Sequence, residues 1–182
     1  MLAVGLGNIG NEYAKTRHNL GFMAIDAIRE KYGFPDWKER PKYLFSKSKI
    51  GGRDVMLVKP KTYMNLSGGA VLAAATACKI PPDGTVVIHD DLDLAPARVK
   101  IKLGGGNAGH NGLRDIDAKI GRGYWRIRIG IGHPRDSAPA MDVADYVLAR
   151  PPKDEAVALA AAIEKIADRF EAVAGGDFSM PL

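Results

Sequence analysis

The sequence predicts an α/β fold: a single three-layer domain over residues 1–182, with a mixed, twisted β-sheet flanked by helices. Three observations lead there. Short β-branched runs alternate with longer amphipathic ones, the pattern of strands interleaved with helices. Two of the runs are joined only by Gly51-Gly52, a hairpin signal, so part of the sheet is antiparallel. The chain has 182 residues, enough for one sizeable core, and no repeat or low-complexity segment interrupts it.

Each element has its own signal. Leu2–Leu6 reads as a short buried strand ending in glycine. Leu20–Tyr32 carries Leu20, Phe22, Met23, Ile25, Ala27 and Ile28 and suits an amphipathic helix. Leu44–Ile50 and Asp54–Lys59 flank the Gly-Gly turn as two hairpin strands. Leu66–Lys79 is Ala-rich and helical, stopped by Pro81-Pro82. Thr85–Ile88 is a β-branched strand ending at the acidic cluster His89-Asp90-Asp91-Leu92-Asp93. Ala97–Leu103 is a basic strand, and His110–Ile120 is a helix with Gly121 after its end. Tyr124–Gly132 alternates, with Ile127, Ile129 and Ile131 on one face and Arg126 and Arg128 on the other, as in a half-buried strand. Asp154–Ala174 is a final helix between Pro151-Pro152 and Gly175-Gly176. In sheets of this kind sites form at strand ends.

Composition narrows the function classes. No apolar run approaches the roughly 20 residues that span a bilayer, and no secretory leader is visible. The one cysteine, Cys78, excludes an internal disulfide and fits a reducing cytoplasm; its Ala-rich surroundings mark it as a packing residue. The formal charge is +5. Residues 98–135 alone hold nine Lys/Arg against two Asp/Glu, a local net of +7, while residues after 135 are net acidic. Positive charge clustered in this way favours a phosphate backbone as partner.

The stretch Gly104–Gly112, Gly-Gly-Gly-Asn-Ala-Gly-His-Asn-Gly, is the most informative. Its glycines let the backbone turn sharply and approach a ligand, and its asparagines and histidine offer directional hydrogen bonds. Gly5-Leu-Gly7-Asn-Ile-Gly10 matches a dinucleotide-binding pattern after a strand. The residues that follow are turn-like, and no acidic residue ends a second strand about 20 residues on, so a tight turn presenting Asn8 is the better reading. His18 lies in the polar loop Thr16-Arg17-His18-Asn19, and Asn8, Asn65 and Asn111 occupy similar turn-like segments. A lone histidine there is more often a surface residue than a base; this company raises the case for a base. Asp90 follows a strand, where a carboxylate can hold a histidine in one tautomer. The four histidines show no close metal-ligand spacing. Ser67 lacks a nucleophile elbow and reads as a helix N-cap.

Taken together these segments resemble the bacterial-type peptidyl-tRNA hydrolases. The matching residues are Val4–Asn8, Glu12-Tyr13 with Thr16–Asn19, Lys59-Pro60 with Thr62–Gly68, His89–Asp93, Lys100–Leu113 and Arg126–Pro134. The resemblance implies hydrolysis of the ester joining a peptide to the 3′ ribose of tRNA. It implies His18 as the base that activates water, Asp90 as its partner, and Asn8 as the residue that tells N-blocked from free aminoacyl substrates. Tyr13, Tyr63, Met64, Asn65 and Asn111 would meet the substrate, and Lys100, Lys102 and Arg128 the tRNA. The family works in the cytoplasm, as a monomer, without metal or cofactor. Ile9 stands where the family usually has proline, the first strand starts late, and the tail after Gly176 is short. Two other readings remain open: an RNA-binding module, like the chloroplast splicing-factor relatives of the family, and a nicotinamide-dependent enzyme built on Gly5–Gly10.

Overall fold

The computed structural model describes residues 1–179; the end of the short tail lies outside them. Seven strands form one sheet in the order β2-β3-β4-β1-β5-β7-β6. They are β1 (Leu2–Gly5), β2 (Lys38–Glu39), β3 (Tyr43–Ile50), β4 (Arg53–Pro60), β5 (Thr85–Asp91), β6 (Val99–Leu103) and β7 (Trp125–Gly130). β1 runs parallel to β4 and β5, and β5 parallel to β7. The two outer pairs, β3 with β4 and β6 with β7, are antiparallel, so the sheet is mixed as expected. Ile50 faces Arg53 across a two-residue turn in which Gly51 and Gly52 both take positive φ, the turn whose twist suits a hairpin.

Helices cover both faces. Helices α1 (Leu20–Lys31) and α6 (Lys153–Ala174) share one core with Ala3, Leu57, Ile88, Ile127 and Ile129. Helices α2 (Ser67–Cys78) and α3 (Asn111–Ile120) share the other with Leu2, Val4, Val58 and Val87. Odd and even residues of the central strands thus serve opposite layers, as side-chain alternation requires. Two short helices, α4 (Pro134–Ser137) and α5 (Val143–Val147), fill the chain between β7 and α6.

Three expectations need correction. The strand after the Ala-rich helix does not end at Ile88; β5 runs on through His89, Asp90 and Asp91, all buried, so the acidic cluster is mostly strand rather than turn. Ser67 is not an N-cap: its hydroxyl donates backward to the Met64 carbonyl at 2.7 Å. Arg126 does not face solvent, being 2 % exposed, because a carboxylate and two loop carbonyls receive its guanidinium. Edge strand β2, α4 and α5 have no counterpart among the elements that the sequence signals.

Candidate active site

The carboxyl end of β5 carries the site. Asp90 is buried there and faces two imidazoles. His18 Nδ1 lies 2.9 Å and 3.0 Å from its two carboxylate oxygens, and His110 Nε2 lies 3.0 Å from Oδ1. The protons can be assigned from the other ends of the rings. His110 precedes α3 as its N-cap, and its Nδ1 accepts from the backbone N–H of Gly112 and Leu113. A nitrogen that accepts has a lone pair, so the His110 proton sits on Nε2 and is donated to Asp90. His18 donates from Nδ1, which leaves its Nε2 with the lone pair. That atom has no hydrogen-bond partner among the described residues, and the ring lines a cleft of about 270 Å³ shared with Asp90, Leu92, Asn107, Asn111 and Val143, among others.

Charge and burial act together on these groups. Burial works against a charged His18, but the charge and hydrogen bonds of Asp90 outweigh it and raise the histidine above its ordinary 6.5. Burial alone would raise Asp90; His18 and His110 overcome that and hold it well below the usual carboxylate range. His89 differs. Burial first, and His110 second, lower it to about 4, and its Nδ1 donates to the Asp90 carbonyl at 2.7 Å. His89 therefore stays neutral beside the pair.

His18 is held from both sides. Arg17, also buried, donates to the Tyr146 carbonyl at 3.1 Å, reaches Glu155 at 3.4 Å and stacks 4.0 Å from the Tyr146 ring centroid. Asn19 bridges to the opposite loop: its side chain accepts from Asn8 N–H at 2.7 Å and donates to the Asn8 carbonyl at 2.9 Å. The sequence alone gives neither neighbour a task. It places His110 at the end of the Gly-rich loop and the start of a helix without giving it a task; a histidine at that helix N-terminus is the signal that could have found it.

Of the other expected residues, Asn111 shares this cleft and the rest lie outside its lining. Asn111 lines it as the first residue of α3. Asn8 lines a neighbouring hollow with Asn19, Phe22 and Lys59. Tyr13 closes a short 3₁₀ turn, Asn11–Tyr13. Tyr63, 81 % exposed, precedes a second 3₁₀ turn, Met64–Leu66, in which Asn65 is exposed and Met64 is buried. That turn packs on α3 so tightly that a Cβ added at Gly112 would lie 2.7 Å from the Met64 sulfur. Lys102 and Arg128 line a basic hollow on the far side of His89 and Asp91, with exposed Lys100 opposite Arg128 in the β6–β7 pairing. Arg128 is not free there: its Nε donates to Asp91 at 2.7 Å.

Two alternatives can be tested on this geometry. Sequence spacing argues against a metal, yet the fold gathers His18, Asp90 and His110 so that their donor atoms lie within 4.8 Å of one another. With protons on both nitrogens that face Asp90, the cluster can work as a hydrogen-bond relay. The dinucleotide pattern also lacks its context. Helix α1 starts only at Leu20, so Gly5–Gly10 does not open onto a helix N-terminus. Gly5 serves packing instead, since a Cβ there would lie 2.2 Å from the Gly21 carbonyl oxygen.

The family described as Peptidyl-tRNA hydrolase matches residues 2–180. The chain belongs to the peptidyl-tRNA hydrolase family. A protein called Peptidyl-tRNA hydrolase from Rhodospirillum centenum is 55 % identical over 73 % of this chain, a match spanning 59 % of that relative's length. One of the same name from Acidiphilium cryptum is 47 % identical over 96 % of the chain and 90 % of the relative. The crystal structure of peptidyl-tRNA hydrolase from Acinetobacter baumannii superposes with a TM-score of 0.90 at 41 % identity, covering 96 % of this chain and 88 % of that one. The three-layer α/β architecture is thus that of the peptidyl-tRNA hydrolases.

Proposed function

We propose that His18 is the general base with which this hydrolase cleaves the ester between the peptide and the 3′ ribose of peptidyl-tRNA. One observation carries the reading: Asp90 accepts the hydrogen bond of the His18 Nδ1–H, which leaves Nε2 as the basic nitrogen of a ring that lines the cleft. A water bound at Nε2 loses its proton to the ring as its oxygen attacks the ester carbonyl carbon. The tetrahedral oxyanion then collapses, the C–O bond to the ribose breaks, and the imidazolium returns the proton to the departing 3′ oxygen. Asp90 stabilises the imidazolium in between. An ester is activated enough that one base and one positioned water suffice, so the step calls for no metal or cofactor. Asn111 at the cleft is suited to donate to the oxyanion.

Asn8, Tyr13, Tyr63, Met64 and Asn65 lie outside the lining of the cleft and are assigned to the peptide and the 3′ end. Lys100, Lys102 and Arg128 are assigned to tRNA phosphates, which the +7 segment attracts. Action as a monomer in the cytoplasm belongs to the same proposal. No helix among the described residues is long and apolar enough to cross a membrane.

The test is release of N-acetyl-aminoacyl groups from tRNA with EDTA present, with aminoacyl-tRNA bearing a free amine as control. His18→Ala should lower turnover by about 10²–10⁴-fold and leave tRNA affinity intact. Normal turnover in that variant would remove His18 from the role. Tight tRNA binding by the wild type without cleavage would make the chain an RNA-binding relative.

A further inference from the structure

The β6–β7 register sets Lys102 opposite Arg126, yet the two residues have opposite fates. Lys102 is exposed, whereas Arg126 is among the largest fully buried side chains. Its Nη1 donates to the Gly106 carbonyl at 2.6 Å, and its Nη2 to the Gly105 carbonyl and to Asp117 Oδ1, both at 3.0 Å. Asp117 also accepts from the Tyr124 hydroxyl at 2.7 Å, and the guanidinium lies 4.6 Å from the Tyr124 ring centroid.

The two carbonyls belong to the Gly-rich loop. That loop is conformationally expensive, with positive φ at Gly104, Gly105, Ala108 and Gly109. A backbone bond from Gly104 N–H to the Tyr124 carbonyl holds its start at 3.0 Å. Its far end is closed by Asn107, whose carbonyl and side chain accept from His110 N–H at 2.8 Å and Gly109 N–H at 3.0 Å. Between these points Arg126 is what hydrogen-bonds the loop to the sheet among the described residues. The loop leads into His110, which meets Asp90 at 3.0 Å on one side and caps α3 on the other.

We propose that Arg126 is a positioning residue for hydrolysis: it clamps the Gly105 and Gly106 carbonyls and so fixes the loop that delivers His110 to Asp90. The inference rests on the reading of Asp90 as partner of the base His18. Arginine suits the task because its planar fork serves two carbonyls and a carboxylate at once, which an ammonium on a flexible stem does not. Burying this charge is tolerated because Asp117 neutralises it.

Arg126→Lys keeps the charge and breaks the fork. It should lower kcat by about 10²-fold, the cost of a misplacement near 1 Å, with little change in KM. Amide hydrogen exchange should quicken in residues 104–112 and not in the central strands. Added to His18→Ala, it should slow turnover no further, because it acts through the same relay. Gly105→Ala attacks the clamp from the surface, at a φ of 102° where a side chain is strained. It should give the same loss should Arg126→Lys fail to fold. Unchanged exchange in the loop, or a looser loop with kcat within about twofold of wild type, would overturn the proposal. Normal turnover in His18→Ala would instead sink the base assignment, and the loop exchange would still report on the clamp.

Discussion

The cleft at His18 and the basic edge share His89 and Asp91 as a common wall and, on the proposed function, solve opposite problems. In the cleft, groups from positions 18, 90 and 110 are packed at 2.9–3.0 Å, and each ring proton has one place to be. At the edge, Lys100 and Lys102 come from one five-residue strand and stand in solvent. Moving a proton requires a fixed tautomer, which burial and hydrogen bonding supply. Attracting phosphates requires only charge, which works through flexible side chains and is screened by salt. Substitutions in the cleft should therefore act on kcat and ignore ionic strength. Substitutions at the edge should be graded and salt-dependent.

Asp90→Asn is the strongest way to break that contrast. An amide has one acceptor oxygen for two ring N–H groups, and its own N–H₂ favours the wrong His18 tautomer, with the proton on Nε2. We expect kcat to fall by about 10²–10⁴-fold. The residual activity should also show a shifted pH profile. With His18 as the proposed base, neutral only above a pKa raised beyond 6.5, wild-type activity should rise with pH through that range. Without the carboxylate the raising cause is gone and burial remains, so the acid limb should move to lower pH. An unmoved limb would show that another group controls it.

Asn19→Ala should have the next largest effect. It strips two hydrogen bonds from the Asn8 backbone, each part-buried, at about 1–3 kcal/mol for each group left unsatisfied. Turnover should drop by roughly tenfold and the preference for N-blocked over free-amine substrate should narrow, since Asn8 loses its fixed position. Measuring both substrates at two salt concentrations checks this; an effect that vanishes at low salt would place Asn19 with the edge instead.

The contrast also explains what the sequence could tell. Ile127, Ile129 and Ile131 alternate with arginines, and β7 follows from that local pattern. The Gly-Gly hairpin and the basic strand are local in the same sense. His18 stands out through the asparagines around similar turns, but its bond to Asp90 spans 72 positions and that of His110 spans 20. Spacing carries no trace of such a pairing. Arg126 escapes the local pattern for the same reason: alternation places it opposite the isoleucines, and its partners Asp117, Gly105 and Gly106 come from other segments. Strand β2 is two charged residues long and makes its pairing through the backbone, which leaves no side-chain signal.

The smallest effects belong to the edge, and there the three cations should separate. Lys100→Glu with Lys102→Glu removes two exposed charges and adds two repulsive ones. It should weaken tRNA binding at physiological salt and flatten the dependence of log K on log[salt] by about 0.7–0.9 for each phosphate that is no longer neutralised, with kcat unchanged once substrate saturates. Arg128→Ala should do less. Its guanidinium is already paired with Asp91 at 2.7 Å and its side chain is 22 % exposed, so the field it offers a phosphate is partly cancelled. The variant also frees a buried carboxylate one residue from Asp90, which adds negative charge beside the relay. Arg128→Ala should thus change the salt slope by less than either lysine alone and shift the His18 limb slightly upward, whereas the lysine variants leave that limb in place. A slope change equal to that of Lys102→Ala would mean that the substrate pulls Arg128 off Asp91, and the boundary between edge and cleft would then itself move when tRNA binds.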